Sequence, residues 1–106
     1  MKLTIWLVLD SGKIGGIESH VVQLAKYLHE LQYKVCVIFL NDYSQQSVAK
    51  NLAQAKIKCI FLNGSLSAFY QLVKKSTPDI LHAHSYKPGI YCKLLAKLID
   101  TSVICT

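Results

Sequence analysis

Leu3-Thr4-Ile5-Trp6-Leu7-Val8-Leu9, then Asp10-Ser11-Gly12-Lys13-Ile14-Gly15-Gly16, then apolar residues at Ile17, Val21, Leu24, Ala25, Leu28 and Leu31: the reading of this stretch decides the fold. The first seven residues form an unbroken apolar run of strand length, too short for a helix that must bury a face. The run could pass for the core of a secretory leader, but Asp10 stops it and no small-residue cleavage site follows. It therefore reads as a first strand. The glycine-bearing segment makes a loop, and the later spacing marks one face of a helix that should end near Gln32.

Working outward, the same alternation returns. Val35 to Leu40 is a second apolar strand, bounded by Asn41-Asp42-Tyr43-Ser44 and followed by a weaker helical pattern at Val48, Leu52 and Ala55. Ile57 to Leu62 is a third strand, Asn63-Gly64-Ser65 a turn, and Leu66, Phe69, Tyr70 and Val73 the face of a third helix. Pro78 separates that helix from a fourth strand over Asp79 to Ala83. A fourth helix is expected from about Pro88 to Ile99, and a fifth strand over Ser102 to Thr106. Repeated βα units joined by right-handed crossovers predict an α/β fold, a doubly wound Rossmann-like parallel sheet with strand order 3-2-1-4-5. No linker or low-complexity stretch divides the chain. It stops on the fifth strand with no helix after it to cover that edge, so truncation is expected.

Composition narrows the function classes. At 106 residues with 52% hydrophobic and 17% charged content, the chain suits one packed domain rather than a disordered tail. Folding a chain of this size buries roughly two-thirds of its surface, so every apolar face must be covered. The net charge of +6 comes from lysine alone, because the sequence contains no arginine. Without a guanidinium fork, specific nucleic-acid recognition loses support. A lysine-rich surface suits attraction to an anionic bilayer, with Lys93 and Lys97 sharing a helical face, although an ordinary solvated face has the same composition. No apolar stretch approaches the roughly 18 residues of a membrane span. Cys36, Cys59, Cys92 and Cys105 are widely separated, with no Cys-x-x-Cys pair, and three of them sit in apolar strand-like runs. They read as reduced, buried small hydrophobes in a cytosolic compartment.

In an open α/β sheet ligands bind beyond the carboxyl ends of the strands where strand order reverses, here between the first and fourth strands. Two loops meet there, Asp10 to Gly16 and Ala83-His84-Ser85-Tyr86-Lys87-Pro88-Gly89. Gly15 and Gly16 allow a sharp turn and close approach of the backbone to a ligand, and the N–H groups of the next helical turn suit an anion such as a diphosphate. A ligand-free tight turn would use the same glycines. Their Gly-x-x-Gly-Gly spacing is neither the dinucleotide fingerprint nor a Walker loop. His82 and His84 alternate on the fourth strand and so project to one side of the sheet, with His84 at the carboxyl end. His84 is the candidate catalytic group, and His82, deeper in the strand, reads as structural. Glu18 and His20 sit in the first turn of the first helix, where a carboxylate also simply complements the helix dipole. Lys13 and Lys87 could pair with phosphate or contact only water. Two histidines without a nearby Asp, Glu or Cys are a poor metal set, so no metal is expected.

Taken together, these residues resemble family-4 glycosyltransferases of the GT-B fold, whose first domain opens with a strand, a loop ending Gly-Gly-x-Glu, and a helix. The matching stretch is Gly15-Gly16-Ile17-Glu18-Ser19-His20-Val21-Val22, followed by Leu24-Ala25-Lys26-Tyr27-Leu28. Pro78-Asp79-Ile80-Leu81-His82-Ala83-His84 is similar to the family's Pro-Asp, two apolar residues, His-x-His strand. The resemblance covers the whole chain and implies residues 1–106 of an N-terminal, acceptor-side domain whose C-terminal, donor-binding partner domain is absent. It implies transfer of a sugar from a nucleotide-diphosphate donor to a glycan or lipid-linked acceptor, with retention at the anomeric carbon and no cofactor or metal. By the same resemblance Gly15 and Gly16 approach the donor diphosphate, His84 faces the donor sugar, and Glu18, His20 and Lys87 are available for acceptor or donor contacts. The family's Glu-x7-Glu is missing, since the only glutamates are Glu18 and Glu30. The isolated chain is accordingly expected to show no turnover. The implied location is the cytoplasm, at the inner membrane surface where the lysines contact it.

Three other readings share this strand pattern. A dinucleotide-binding oxidoreductase module could use Asp42 after the second strand to hold a ribose, though the glycine spacing counts against it. A split subunit or gene remnant would share the fold and differ only in activity. A phosphorelay receiver needs an Asp after the third strand, where Leu62-Asn63 stands.

Overall fold

A computed structural model describes residues 3–9, 16–40, 46–62, 65–84, 86–96 and 102–105. Strands and helices alternate throughout: β1 (Thr4–Leu9), α1 (Gly16–Glu30), β2 (Lys34–Phe39), α2 (Gln46–Gln54), β3 (Lys58–Phe61), α3 (Leu66–Ser76), β4 (Ile80–His84), α4 (Tyr86–Ala96) and β5 (Ser102–Cys105). The five strands form one parallel sheet in the order β3-β2-β1-β4-β5, as the alternation of periods predicts. Parallel neighbours need crossovers, and the crossovers place helices on both faces. That double covering explains why β1 and β2 are apolar runs without a polar face.

The two faces are separate cores. Ile5, Leu7 and Leu9 of β1 join Val37 and Phe39 of β2 beneath Val21, Val22 and Ala25 of α1 and Leu52 of α2. The alternate residues Trp6, Val8, Cys36, Ile38, Leu81 and Ala83 pack against Phe69 and Val73 of α3 and Cys92 and Leu95 of α4. Lys26 Nζ donates to Asn51 Oδ1 at 2.7 Å, tying α1 to α2 across their solvent side. Burial acts on both strand thiols: desolvation pushes Cys36 and Cys59 up to about 11, which suits the reduced, inert state expected of them.

Helix ends follow local chemistry the periodicity does not carry. Ser65 caps α3, its Oγ accepting from the Ala68 N–H at 3.2 Å, so this residue begins the helix rather than closing the preceding turn. Helix α1 stops two residues before Gln32. There Gln32 adopts a left-handed φ of 71°, its N–H donates to the His29 carbonyl, and the Tyr33 N–H reaches back to Leu28. Lys56, with φ 63°, repeats the arrangement after α2 through Ala53 and Leu52. These are Schellman closures built without glycine, each sealed by an apolar pair in the α1/α2 core, Leu28 with Tyr33 and Leu52 with Ile57. Helix α4 begins at Tyr86, so Pro88 lies inside its first turn, where a missing N–H costs no helical bond.

The start of β4 is clamped. The Thr4 N–H donates to Asp79 Oδ2 at 2.7 Å, while the Asp79 N–H donates to the Thr4 carbonyl at 2.9 Å. The Ser102 N–H also reaches the Asp79 carbonyl, at 3.4 Å. One aspartate therefore aligns the amino ends of β1, β4 and β5. In consequence β4 runs from Ile80 through His84, one residue later than the sequence pattern indicates, and His84 is its last strand residue.

Candidate functional site at the carboxyl end of β4

Alternation along β4 turns Leu81 and Ala83 toward α3 and α4 and leaves His82 and His84 on the α1 face. The register with β1 sets Leu7 beside His82 and Leu9 beside His84, so both histidines enter an otherwise apolar layer. The ring centroids of His82 and His84 are 4.2 Å apart with planes tilted by 33°. From across the layer, His20 of α1 meets His84 edge-on, at 5.8 Å and 65°. His20, distant in sequence, thus joins His82 and His84 at the switch point between β1 and β4.

His84 is only 3% exposed, and its Nε2 has no hydrogen-bond partner among the described residues. Burial pushes its pKa down from 6.5 to about 4, helped by the nearby charges that His82 and His20 would carry. His82 is lowered as well, first by burial and then by His20. At neutral pH the His84 ring is neutral, with one nitrogen able to donate and the other to accept. A buried polar atom without a partner costs about 1 to 3 kcal/mol relative to one that is satisfied, so this position carries a cost that packing alone would not select. Such an atom suits a ligand hydroxyl or other neutral polar group.

Of the sequence-derived candidates, the structure brings His20 and His84 together and adds His82, whose depth in the strand suggests a structural role. Gly16 is the first residue of α1, so its N–H belongs to the unpaired amino-terminal set of that helix. The loop 10–15, including Lys13 and Gly15, lies outside the described residues, as do the side chains of Glu18 and Lys87. Among the described residues, no group of three or more His, Cys, Asp and Glu could hold a metal ion, and no helix is long and apolar enough to cross a membrane.

A concavity of about 270 Å³ opens at the opposite end of the same strands, lined by Trp6, Cys36, Ile60 and Leu72 with Lys34 and Lys58 among its walls. It lies at the amino ends of β1 to β3, away from the switch point, and includes no histidine. The strand-order rule and the unsatisfied Nε2 both favour the His84 end.

The family model for Glycosyltransferase Family 4 matches residues 14–106, and the chain belongs to that family. A glycosyltransferase from Rickettsia africae ESF-5 superposes with a TM-score of 0.79 at 24% identity, covering 98% of this chain and 29% of that one. A UDP-GlcNAc 2-epimerase from Neisseria meningitidis, solved with UDP-GlcNAc bound, gives a TM-score of 0.63 at 18% identity, covering 97% of this chain and 32% of the epimerase. A universal stress protein from Archaeoglobus fulgidus in complex with dAMP is similar in fold alone, with a TM-score of 0.57 at 10% identity and coverage of 95% and 96%. The chain therefore spans under a third of the glycosyltransferase and the epimerase. Comparison with curated protein sequences gives no match.

Proposed function

We propose that this chain is the acceptor-side, Rossmann-like part of a GT-B enzyme that transfers a sugar from a nucleotide-diphosphate donor to a glycan or lipid-linked acceptor, with retention at the anomeric carbon. The observation that carries the reading is the buried, neutral His84 at the carboxyl end of β4, with Nε2 unpartnered among the described residues, in a chain of the Glycosyltransferase Family 4. In this reading His84 contacts a hydroxyl of the donor sugar. A neutral imidazole pairs with a hydroxyl without drawing the diphosphate away from the amino end of α1, where Gly15 and Gly16 bring backbone N–H groups close to it. Those N–H groups stabilise the charge that grows on the leaving diphosphate, and the His84 contact holds the sugar in line. Glu18 of α1 and Lys87 of α4 belong to the first turns of the helices that follow β1 and β4, His20 opens the second turn of α1, and all three are assigned to the acceptor or to the donor's outer groups. A C-terminal domain supplies the remaining donor contacts, no cofactor or metal takes part, and this chain alone does not turn over. Lysines on the outer surface hold the enzyme peripherally against an anionic cytoplasmic leaflet.

Titration of the ¹⁵N-labelled chain with a panel of nucleotide-diphosphate sugars tests the reading. Saturable shifts at His84 and the first turn of α1, greater with the sugar nucleotide than with the free nucleotide, are expected. His84→Ala should weaken the sugar-dependent part about tenfold or more, the loss of one well-placed hydrogen bond. Equal binding of sugar nucleotide and free nucleotide by both proteins would refute the assignment. Transfer of labelled sugar by the isolated chain above buffer background would overturn the statement that it is inactive alone.

A further inference from the structure

Nothing among the described residues hydrogen-bonds His84 Nε2, so no bond at that nitrogen sets the direction of the ring. The imidazole χ2 torsion is broad and roughly two-fold, and a half-turn exchanges the ring's donor and acceptor sides. On the Nε2 side, packing is what orients the ring. On its own strand His84 has the His82 ring at 4.2 Å and tilted by 33°, and from α1 it has the His20 ring edge-on at 5.8 Å. Of the two neighbouring strands, β1 sets Leu7 and Leu9 at the matching register positions and β5 sets Ile104 opposite His82, and none of the three has a flat side chain.

We propose that His82 is a positioning residue, a flat platform that selects one orientation of the His84 ring and so keeps Nε2 directed at the incoming ligand. The inference rests on the reading of His84 as the ligand-contacting group, and it assigns to His82 a role distinct from filling the core. His82 touches no substrate in this scheme and acts through His84 alone. His20, exposed and approaching by its edge, closes the slot from the helix side. Among the described residues these two imidazoles are the titratable groups that face His84, one from β4 and one from α1.

Long-range ¹H–¹⁵N correlation spectra of the histidine-labelled chain read the tautomer and titration of each imidazole directly. In the wild-type chain His84 should show one neutral tautomer and a midpoint well below that of a free histidine. His82→Phe preserves a flat platform, and His84 should keep a single tautomer. His82→Leu preserves apolar volume without flatness, and His82→Ala removes both. In each of these two the His84 tautomers should average, and in the alanine variant the midpoint should also rise. Nucleotide-sugar affinity should fall about tenfold in the leucine and alanine variants, the scale of one lost hydrogen bond, and less than about threefold in the phenylalanine variant. An unchanged His84 tautomer in His82→Leu would overturn the proposal, as would averaging in His82→Phe equal to that in His82→Leu. The leucine and phenylalanine variants keep the core filled, so the test survives if His82→Ala does not fold. If His84 responds to these substitutions while no nucleotide sugar moves its signals, the platform stands and the assignment of His84 to the donor sugar falls.

Discussion

Strand β4 presents two unlike surfaces from five consecutive residues. Toward α3 and α4 it offers Leu81 and Ala83, both fully buried among apolar side chains with no polar group to satisfy. Toward α1 it offers His82 and His84, their rings close and tilted by 33°, with a buried nitrogen of His84 left unpaired among the described residues. The first surface is what stability alone would choose. Among the described residues the second leaves a buried polar atom unsatisfied, and it does so at the end of the sheet where strand order reverses. In the proposed reading, an unsatisfied atom that gains a partner on binding returns that cost as affinity.

The largest expected effect tests the apolar surface. Leu81→Ala should lower the unfolding free energy by about 2 to 5 kcal/mol, the loss of a fully buried leucine plus the cavity it leaves. Urea denaturation at pH 7 measures it, and a loss below about 1 kcal/mol would mean that this face is not tightly packed.

Next comes the polar surface, read through pH. The folded-state pKa of His84 is depressed, so the unfolded chain binds more protons between 6.5 and about 4. The stability associated with neutral His84 is fully present above pH 6.5 and is lost as the pH falls through this window. Each pH unit of the window is worth about 1.4 kcal/mol, so the loss attributable to His84 is up to roughly 3 kcal/mol. His84→Leu should flatten this acid-side slope and, at pH 7, raise stability by about 1 to 3 kcal/mol by removing the unpaired nitrogen. If the leucine variant is less stable than the wild type, Nε2 is satisfied in solution and the contrast between the two faces disappears.

The smallest effect concerns how the chain enters β4. Thr77 closes α3 in a left-handed conformation, φ 46° and ψ 62°, a region that a β-branched residue disfavours. Thr77→Gly should add about 1 kcal/mol to stability with no change in the titration of His84. A change in that titration would show that the helix closure helps to set the strand's position, coupling the entry of β4 to the histidines at its exit.

Much of the fold is legible in the sequence. Alternating strand-length apolar runs and helical spacings account for the βα repeat, and the short connections for a parallel sheet in the observed order. Candidate His84 follows from period-two alternation combined with the switch-point rule. The Asp79 clamp is not legible, because its partner Thr4 is distant in sequence and the two meet only when β1 and β4 pair. Nor are the closures at Gln32 and Lys56, where sequence rules look for glycine and apolar contacts with Tyr33 and Ile57 stand in for it. Reading His82 as structural follows from its depth in the strand, and depth says nothing about which ring it would touch.

By itself, then, the sequence determined the order and type of the elements and the parallel sheet, since periodicity, turn residues and connection length are local properties written along the chain. Only the tertiary structure decided that His20 approaches His82 and His84, that His84 loses its water while His20 keeps its own, and that Nε2 is left without a partner among the described residues. Burial, ring contacts and proton affinity depend on what packs across the gap between α1 and β4, and no window of sequence contains both sides of it.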